Sequence, residues 1–323
     1  MYQLAQLKPS LSVTDARVSC PVLGCEHDVT RQRVSFRTTP EYYCPEHRIY
    51  ISPSTFEYGD LRDNLLWFSS EDERLLTAIS GVKRESRMTR DNSEDALTWN
   101  VFRFLEQSKL LAGWLGHLTN EPVLNPRIMY WSYCQDTGNT WEPLEQARTE
   151  FGEAQHRGSE PDIIVETDHE LFWIEAKFLS GNETVPSDPR NSKKYLIGGD
   201  CWFDRVFKSP FRTIAVEKKL YELTRFWLLG TRAAYLTGKS FYLVNLVREE
   251  REKFIKEEFA AHILEQQGRK FRRASWEDIY HFVSGNGART AAHEKLLAYM
   301  EGKSAGYDSL QQLLPGFSIH RVH

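Results

Sequence analysis

One apolar set occupies alternate positions on two β-rich runs in the middle of the chain. Ile163 and Val165, then Phe172, Ile174, Ala176 and Phe178, take every second position, the period of half-buried β-strands. Asp168-His169 between the two runs suits a two-residue loop that pairs Thr167 with Glu170. This register sets Asp162 opposite Glu175, and Glu160 opposite Lys177. A helical period holds earlier, where Glu94, Leu97, Thr98, Val101, Phe102 and Leu105 share one face. Residues 216–229 form a second amphipathic helix, and 240–247 read as a buried strand. The charge run of 249–267 predicts a helix with a solvated face. Phe271 to Val283 reads as a last strand or turn leading into a helix, and 288–301 as a small terminal helix. Gly181 to Lys194, with two prolines, reads as a loop.

The hairpin register has a chemical consequence. Directly opposed side chains stand about 4.5–5.5 Å apart at Cβ, so Asp162 and Glu175 repel unless a cation lies between them. Oxygen-only ligands suit Mg²⁺ or Mn²⁺. Lys177, on the same face, would neutralise a phosphate oxygen or orient an attacking water. The competing reading is an exposed hairpin with a solvated charged face.

At Pro161-Asp162 and Glu175-Ala176-Lys177 the chain resembles the PD-(D/E)xK nuclease superfamily. Over roughly residues 90–285, the resemblance implies an α/β, restriction-endonuclease-like fold, a mixed β-sheet core flanked by helices. It also implies a metal-dependent endonuclease that hydrolyses DNA, with restriction or defence as a fold-level expectation. Asp162 and Glu175 would hold Mg²⁺ or Mn²⁺, and Lys177 would complete the catalytic set. The resemblance further implies an acid on a helix before the sheet. Glu94 is the candidate and Asp95 the fallback, although Asp91 and Glu94 also have capping-box spacing. The helix after the Glu-x-Lys strand would lend a polar residue. Tyr221 and Arg225, at i and i+4, could reach a phosphate together, or Arg225 could sit on a solvated face.

A second pattern lies near the N-terminus. Cys20 and Cys25, then Cys44 and His47, make C-x4-C and C-x2-H pairs around a β-rich stretch, which suits a structural, tetrahedral Zn²⁺. His27 is an alternative fourth ligand, and Arg33–Phe36 with Tyr42-Tyr43 would form the ribbon. These patterns predict a zinc-ribbon-like segment over 1–60, a nuclease domain over 61–285 and a helical extension over 286–323.

The net charge of −4 places any nucleic-acid contact in local basic clusters. Candidates are Lys83, Arg84, Arg87 and Arg90; Arg190, Lys193 and Lys194; and Arg269, Lys270, Arg272 and Arg273. No membrane-length apolar run or signal segment is read. Cys134 and Cys201 stand alone, which fits a reducing cytoplasm rather than a disulfide framework. DNA is the expected partner with RNA open, and double-strand cleavage would favour a homodimer. The alternative is a non-catalytic zinc-ribbon protein that binds nucleic acid on a nuclease-like scaffold.

Overall fold

The computed structural model describes residues 1–83, 87–154, 158–188, 192–287 and 289–319. Arg84 and Arg190 of the basic clusters lie outside them. In chain order the strands are β1 (Arg17–Ser19), β2 (Asp28–Thr30), β3 (Tyr43–Cys44), β4 (Ile49–Ile51), β5 (Phe56–Tyr58), β6 (Arg127–Tyr130), β7 (Tyr133–Cys134) and β8 (Asn139–Thr140). They continue with β9 (Ile163–Glu166), β10 (Glu170–Ala176), β11 (Ser240–Val247), β12 (Arg269–Ser275), β13 (Ser304–Tyr307) and β14 (Leu313–Pro315). The α-helices are α1 (Asp72–Ser80), α2 (Glu94–Gln107), α3 (Leu111–Thr119), α4 (Glu142–Glu150) and α5 (Lys193–Val206). After them come α6 (Tyr221–Thr237), α7 (Ile255–Ala260), α8 (Trp276–Gly285) and α9 (Ala291–Glu301).

Two compact units result, and neither is continuous in sequence. The first takes Met1–Ser69, Ser86–Gln107 and Ile279–His323; the second takes Ser70–Glu85 and Ser108–Asp278. Three contiguous domains were expected. The difference arises because the terminal segment is not only helical: β13 and β14 pair antiparallel. That hairpin joins the N-terminal segment through the Leu313 amide on the Pro9 carbonyl (2.9 Å) and the Leu11 amide on the Gln311 carbonyl (3.0 Å).

In the second unit a seven-stranded mixed sheet runs in the order β12-β11-β10-β9-β6-β7-β8. β9 and β10 are antiparallel, whereas β10, β11 and β12 run parallel, a geometry that needs crossover connections. Helices α5 and α6 provide the first crossover, and α7 lies in the second. The sheet's central strands are buried on both faces rather than one. Ile163, Val165, Phe172 and Ile174 cover one side, and Ile164, Leu171 and Trp173 the other, all fully buried. The second face joins the core formed with Leu223, Phe226 and Trp227 of α6. Gly230 permits this close approach, since a Cβ there would meet the Phe241 ring at 2.1 Å. Such overpacking typically costs about 1–3 kcal/mol.

Several boundaries differ from the periodicity. The helix expected over 216–229 starts at Tyr221, because a π-helical turn (Thr213–Glu217) and Lys219 at φ 57° interrupt the run. The 249–267 helix shortens to Ile255–Ala260. There Arg273, from β12, donates to the carbonyls of Glu249, Arg251 and Glu252 at 2.7–2.9 Å, holding the preceding segment as loop. No helix among the described residues is long and apolar enough to cross a membrane.

The first unit builds its core from short strands. β1–β2 and β3-β4-β5 form two small antiparallel sheets, and Cys20, Cys25 and Cys44 belong to the same buried cluster as Val18, Ile49, Phe56 and Tyr307. Arg33–Phe36 form a loop, not ribbon strands. At the start of α2 the Ser93 hydroxyl accepts from the Ala96 amide (3.1 Å). Asp91 is therefore not the cap. It is buried, and its carboxylate accepts from the hydroxyls of Ser304 and Tyr58. Burial pushes that carboxyl above its ordinary range, with Lys303 opposing the shift.

Candidate active site

Asp162 precedes β9 by one residue, and Glu175 is the penultimate residue of β10. The ladder pairs Leu171 with Glu166 and continues to Ile174 with Ile163. One further step sets Asp162 against Glu175. At the far end the Thr167 amide donates to the Glu170 carbonyl (2.9 Å), closing the two-residue loop. Strand alternation turns Asp162, Glu175 and Lys177 to the face shared with Ile164 and Trp173, the face that α6 covers.

Each group is held by its neighbours. Asp162 Oδ2 accepts from the Ala176 amide (2.9 Å), and Oδ1 accepts from the Trp131 indole (3.2 Å). The Trp131 amide in turn donates to the Asp162 carbonyl (2.8 Å). Trp131 and Ser132 form the β6–β7 turn with φ of 45° and 66°. Left-handed backbone at non-glycine residues costs on the order of 1–3 kcal/mol, and here it points a buried indole at a carboxylate. Lys177 Nζ lies 2.5 Å from Glu175 Oε1 and 2.7 Å from Glu222 Oε2. Its backbone is pinned by the Leu246 carbonyl (2.7 Å) and the Trp276 indole (3.0 Å).

Glu175 is 4 % exposed, and its Oε2 has no hydrogen-bond partner. Burial drives its carboxyl well above the ordinary range. Lys177 opposes that shift, while Asp162 and Glu222 add to it. When all are ionised, Asp162, Glu175, Glu222 and Lys177 together carry two negative charges, the complement of one divalent cation. Oxygen donors of this kind are the type that a hard dication of the Mg²⁺ class would take.

Glu222 was not among the residues singled out from sequence. The expected helix does approach the site, but through this residue. Arg225 Nε instead binds Glu153 Oε1 (2.9 Å), which also accepts from the Tyr195 hydroxyl (2.9 Å). Tyr221 joins the same network through Tyr195 (3.2 Å). Burial alone would raise the Glu153 carboxyl, but Arg225, Ser159 and Tyr195 hold it below its ordinary value. Arg225 thus sits in an internal ion pair rather than on a solvated face. Glu94 opens α2 in the first unit, half-buried, and the Asp95 carboxylate accepts from the Arg87 amide (3.3 Å).

The second cluster is in the first unit. Ligand atoms of Cys20, Cys25, Cys44 and His47 all lie within 4.8 Å of one another. Cys25 and Cys44 sulfurs are 3.9 Å apart, and His47 Nδ1 is 3.7 Å from Cys20 and 3.6 Å from Cys44. Tetrahedral Zn²⁺ with its usual bond lengths requires about 3.8 Å between sulfurs and about 3.6 Å from sulfur to nitrogen. These four side chains could therefore hold zinc as they stand. His27 is not among them; its carbonyl accepts from the Cys20 amide (2.8 Å) and shapes the first knuckle. Gly24, at φ 80°, makes the turn between Cys20 and Cys25. Burial raises the Cys20 and Cys25 thiols, a shift that a bound dication would reverse.

The basic clusters are mostly occupied. Lys83 lies over the Trp131 ring at 3.8 Å, and Arg269 and Arg273 donate to backbone carbonyls. Lys194 reaches the Gly152 carbonyl (3.4 Å). No family model, curated protein or solved structure matches this chain.

Proposed function

We propose that this chain is a metal-dependent endonuclease of the PD-(D/E)xK type that hydrolyses DNA on a restriction-endonuclease-like sheet. One observation carries the reading. Asp162 and Glu175 meet across the β9–β10 register beside Lys177, and a buried oxygen of Glu175 lacks a partner. A solvated charged hairpin has no need to bury a carboxylate in this way, and the neighbouring ammonium, Lys177, is shared with Glu222.

Asp162 and Glu175 would hold Mg²⁺ or Mn²⁺, which when bound activates water and offsets charge on the scissile phosphate. Trp131 and the Ala176 amide orient Asp162. Lys177, steered by Glu222, would donate a hydrogen bond to a phosphate oxygen or to the attacking water. Hydrolysis adds that water across one P–O ester bond, and the departing alcohol oxygen takes a proton. The zinc-competent cluster, with four protein ligands, is closed and would serve structure rather than chemistry.

The test is cleavage of supercoiled plasmid with Mg²⁺ or Mn²⁺ by wild type, Asp162→Ala and Lys177→Ala, with structured RNA as a parallel substrate. Nicking lost in both variants supports the reading. RNA cleaved in place of plasmid would change the substrate. No cleavage of either polymer by folded, zinc-loaded protein would overturn it. Glu94→Ala in the same assay decides whether the acid that opens α2 contributes.

A further inference from the structure

The first unit holds a cleft of about 690 Å³ on its own surface, lined by Arg31, Arg33, Phe36, Thr55 and Arg90 among others. We infer that this cleft binds the phosphodiester backbone of a nucleic acid, as a docking site apart from the carboxylate cluster. The inference rests in part on the nuclease reading, since a nuclease needs somewhere to grip its polymer.

Three guanidinium groups face one cavity, and each is tethered along one edge. Arg31 Nη1 donates to the Thr14 carbonyl (3.0 Å), with the exposed Asp15 carboxylate at 3.9 Å. Arg33 Nη2 donates to the Asp15 carbonyl (2.8 Å). Arg90 Nε is paired with Glu57 (2.6 Å), and its guanidinium lies 4.9 Å over the Phe36 ring. Edge tethering fixes each planar fork while leaving N–H groups for two oxygens of one acceptor, the bidentate geometry by which arginine binds phosphate. In the cleft wall two polar atoms, Arg31 Nε and Thr55 Oγ1, are buried without hydrogen-bond partners.

The loop that carries Arg33 and Phe36 is held in shape before any ligand arrives. Gln32 is 7 % exposed. Its amide donates to the Ile51 (2.8 Å) and Arg37 (3.2 Å) carbonyls and accepts from the Arg37 amide (2.6 Å). Val34 stands almost fully exposed at the tip. A buried glutamine spent on a loop whose tip is an exposed valine marks a shape kept for contact rather than for packing. The negative net charge of the chain makes such a local arginine site the more necessary for a polyanion.

The test uses the full, zinc-loaded chain carrying Asp162→Ala, so that bound polymer survives. Fluorescence anisotropy is read with labelled duplex DNA and matched RNA over a salt series. Arg31→Gln/Arg33→Gln is compared with Lys253→Gln/Lys256→Gln, which removes equal charge from the second unit. Arg33→Gln alone, at an exposed position, guards against misfolding, with zinc content and melting as fold controls. We expect the cleft variant to weaken binding at least ~10-fold, and its salt slope to fall by about 2, with the lysine variant near wild type. Equal weakening in both double variants, or none in the cleft variant, overturns the inference, as does the absence of binding to either polymer. The polymer that shows the arginine-dependent slope identifies the source of the phosphates. Cleft-dependent binding without any cleavage by the wild-type chain would sink the nuclease reading and leave this one standing. Asp162-dependent cleavage with arginine-independent binding would do the reverse.

Discussion

The Cys/His cluster, which could hold a metal, and the carboxylate cluster proposed as the active site invert each other's design. In the Cys20, Cys25, Cys44 and His47 cluster, four soft ligands meet at tetrahedral spacing within a core of short strands. Around Glu175, hard oxygens converge at the end of a sheet that is already full of apolar contacts, and one oxygen is left over. Zinc, once bound, would tie the short strands of the first unit together, whereas the second unit's core is packed without help from its carboxylates. Removing ligands should therefore cost fold in one place and chemistry in the other.

The contrast breaks most visibly with Cys44→Ser. Zinc stoichiometry should drop towards zero, and the first unit should lose most of the roughly 10 kcal/mol or more that structural zinc contributes in small domains. Metal analysis and hydrogen exchange over residues 1–58 would read this; an unchanged exchange pattern would mean the cluster is incidental. Asp162→Ala should instead leave melting within a few degrees while cleavage falls on the order of 10³-fold, the several kcal/mol expected of a lost catalytic metal. Retained cleavage would remove Asp162 from the site.

Glu222→Gln sharpens the comparison further. It keeps the helix but weakens the hold on Lys177, and cleavage should fall about 10–100-fold, as for other groups that orient metal-site residues. Arg225→Gln should affect melting more than turnover, because its partner Glu153 is buried.

A smaller effect is expected from pH. Burial, and then Asp162 and Glu222 against Lys177, raise the Glu175 carboxyl in the folded state. That group favours the fold below its unfolded value near 4.5, and the contribution fades as pH rises through the folded value. Without divalent metal, melting should decline as pH rises from that unfolded value through the folded one; Mn²⁺ should flatten the decline, and Glu175→Gln should remove it. A metal-free profile unchanged by Glu175→Gln would rule out this carboxyl as the cause. Smallest of all, His27→Ala should leave zinc content unchanged, while His47→Ala should not.

What the sequence made legible follows from how local the determinants are. The β9–β10 register was readable because one two-residue loop fixes every later pair, and the Cys/His knuckles because their spacing is nearly their geometry. Trp131 and Ser132 were not readable: Tyr130-Trp131-Ser132-Tyr133 has no glycine, asparagine or aspartate to announce a left-handed turn. Tertiary contacts, the Asp162 carboxylate among them, hold that turn. Glu222 was missed for a related reason. Which residue of α6 meets Lys177 depends on where the helix begins, and Lys219 sets that start against the apolar periodicity. The three-part first unit was hidden because β13 and β14 are too short to register as strands.

That three-part construction also dictates an order of events at the ribosome. Domains are usually completed from the N-terminus as they are made, yet here the cysteines emerge first and their unit closes last. Leu313 must reach Pro9, and Tyr307 must reach Lys8, across nearly the whole chain. The seven-stranded sheet, whose final strand ends at Ser275, can be finished while the first unit still waits for its last segment. A nascent chain stalled between those points would carry a completed sheet and exposed, unpaired thiols, the stage at which zinc supply or oxidation decides its fate.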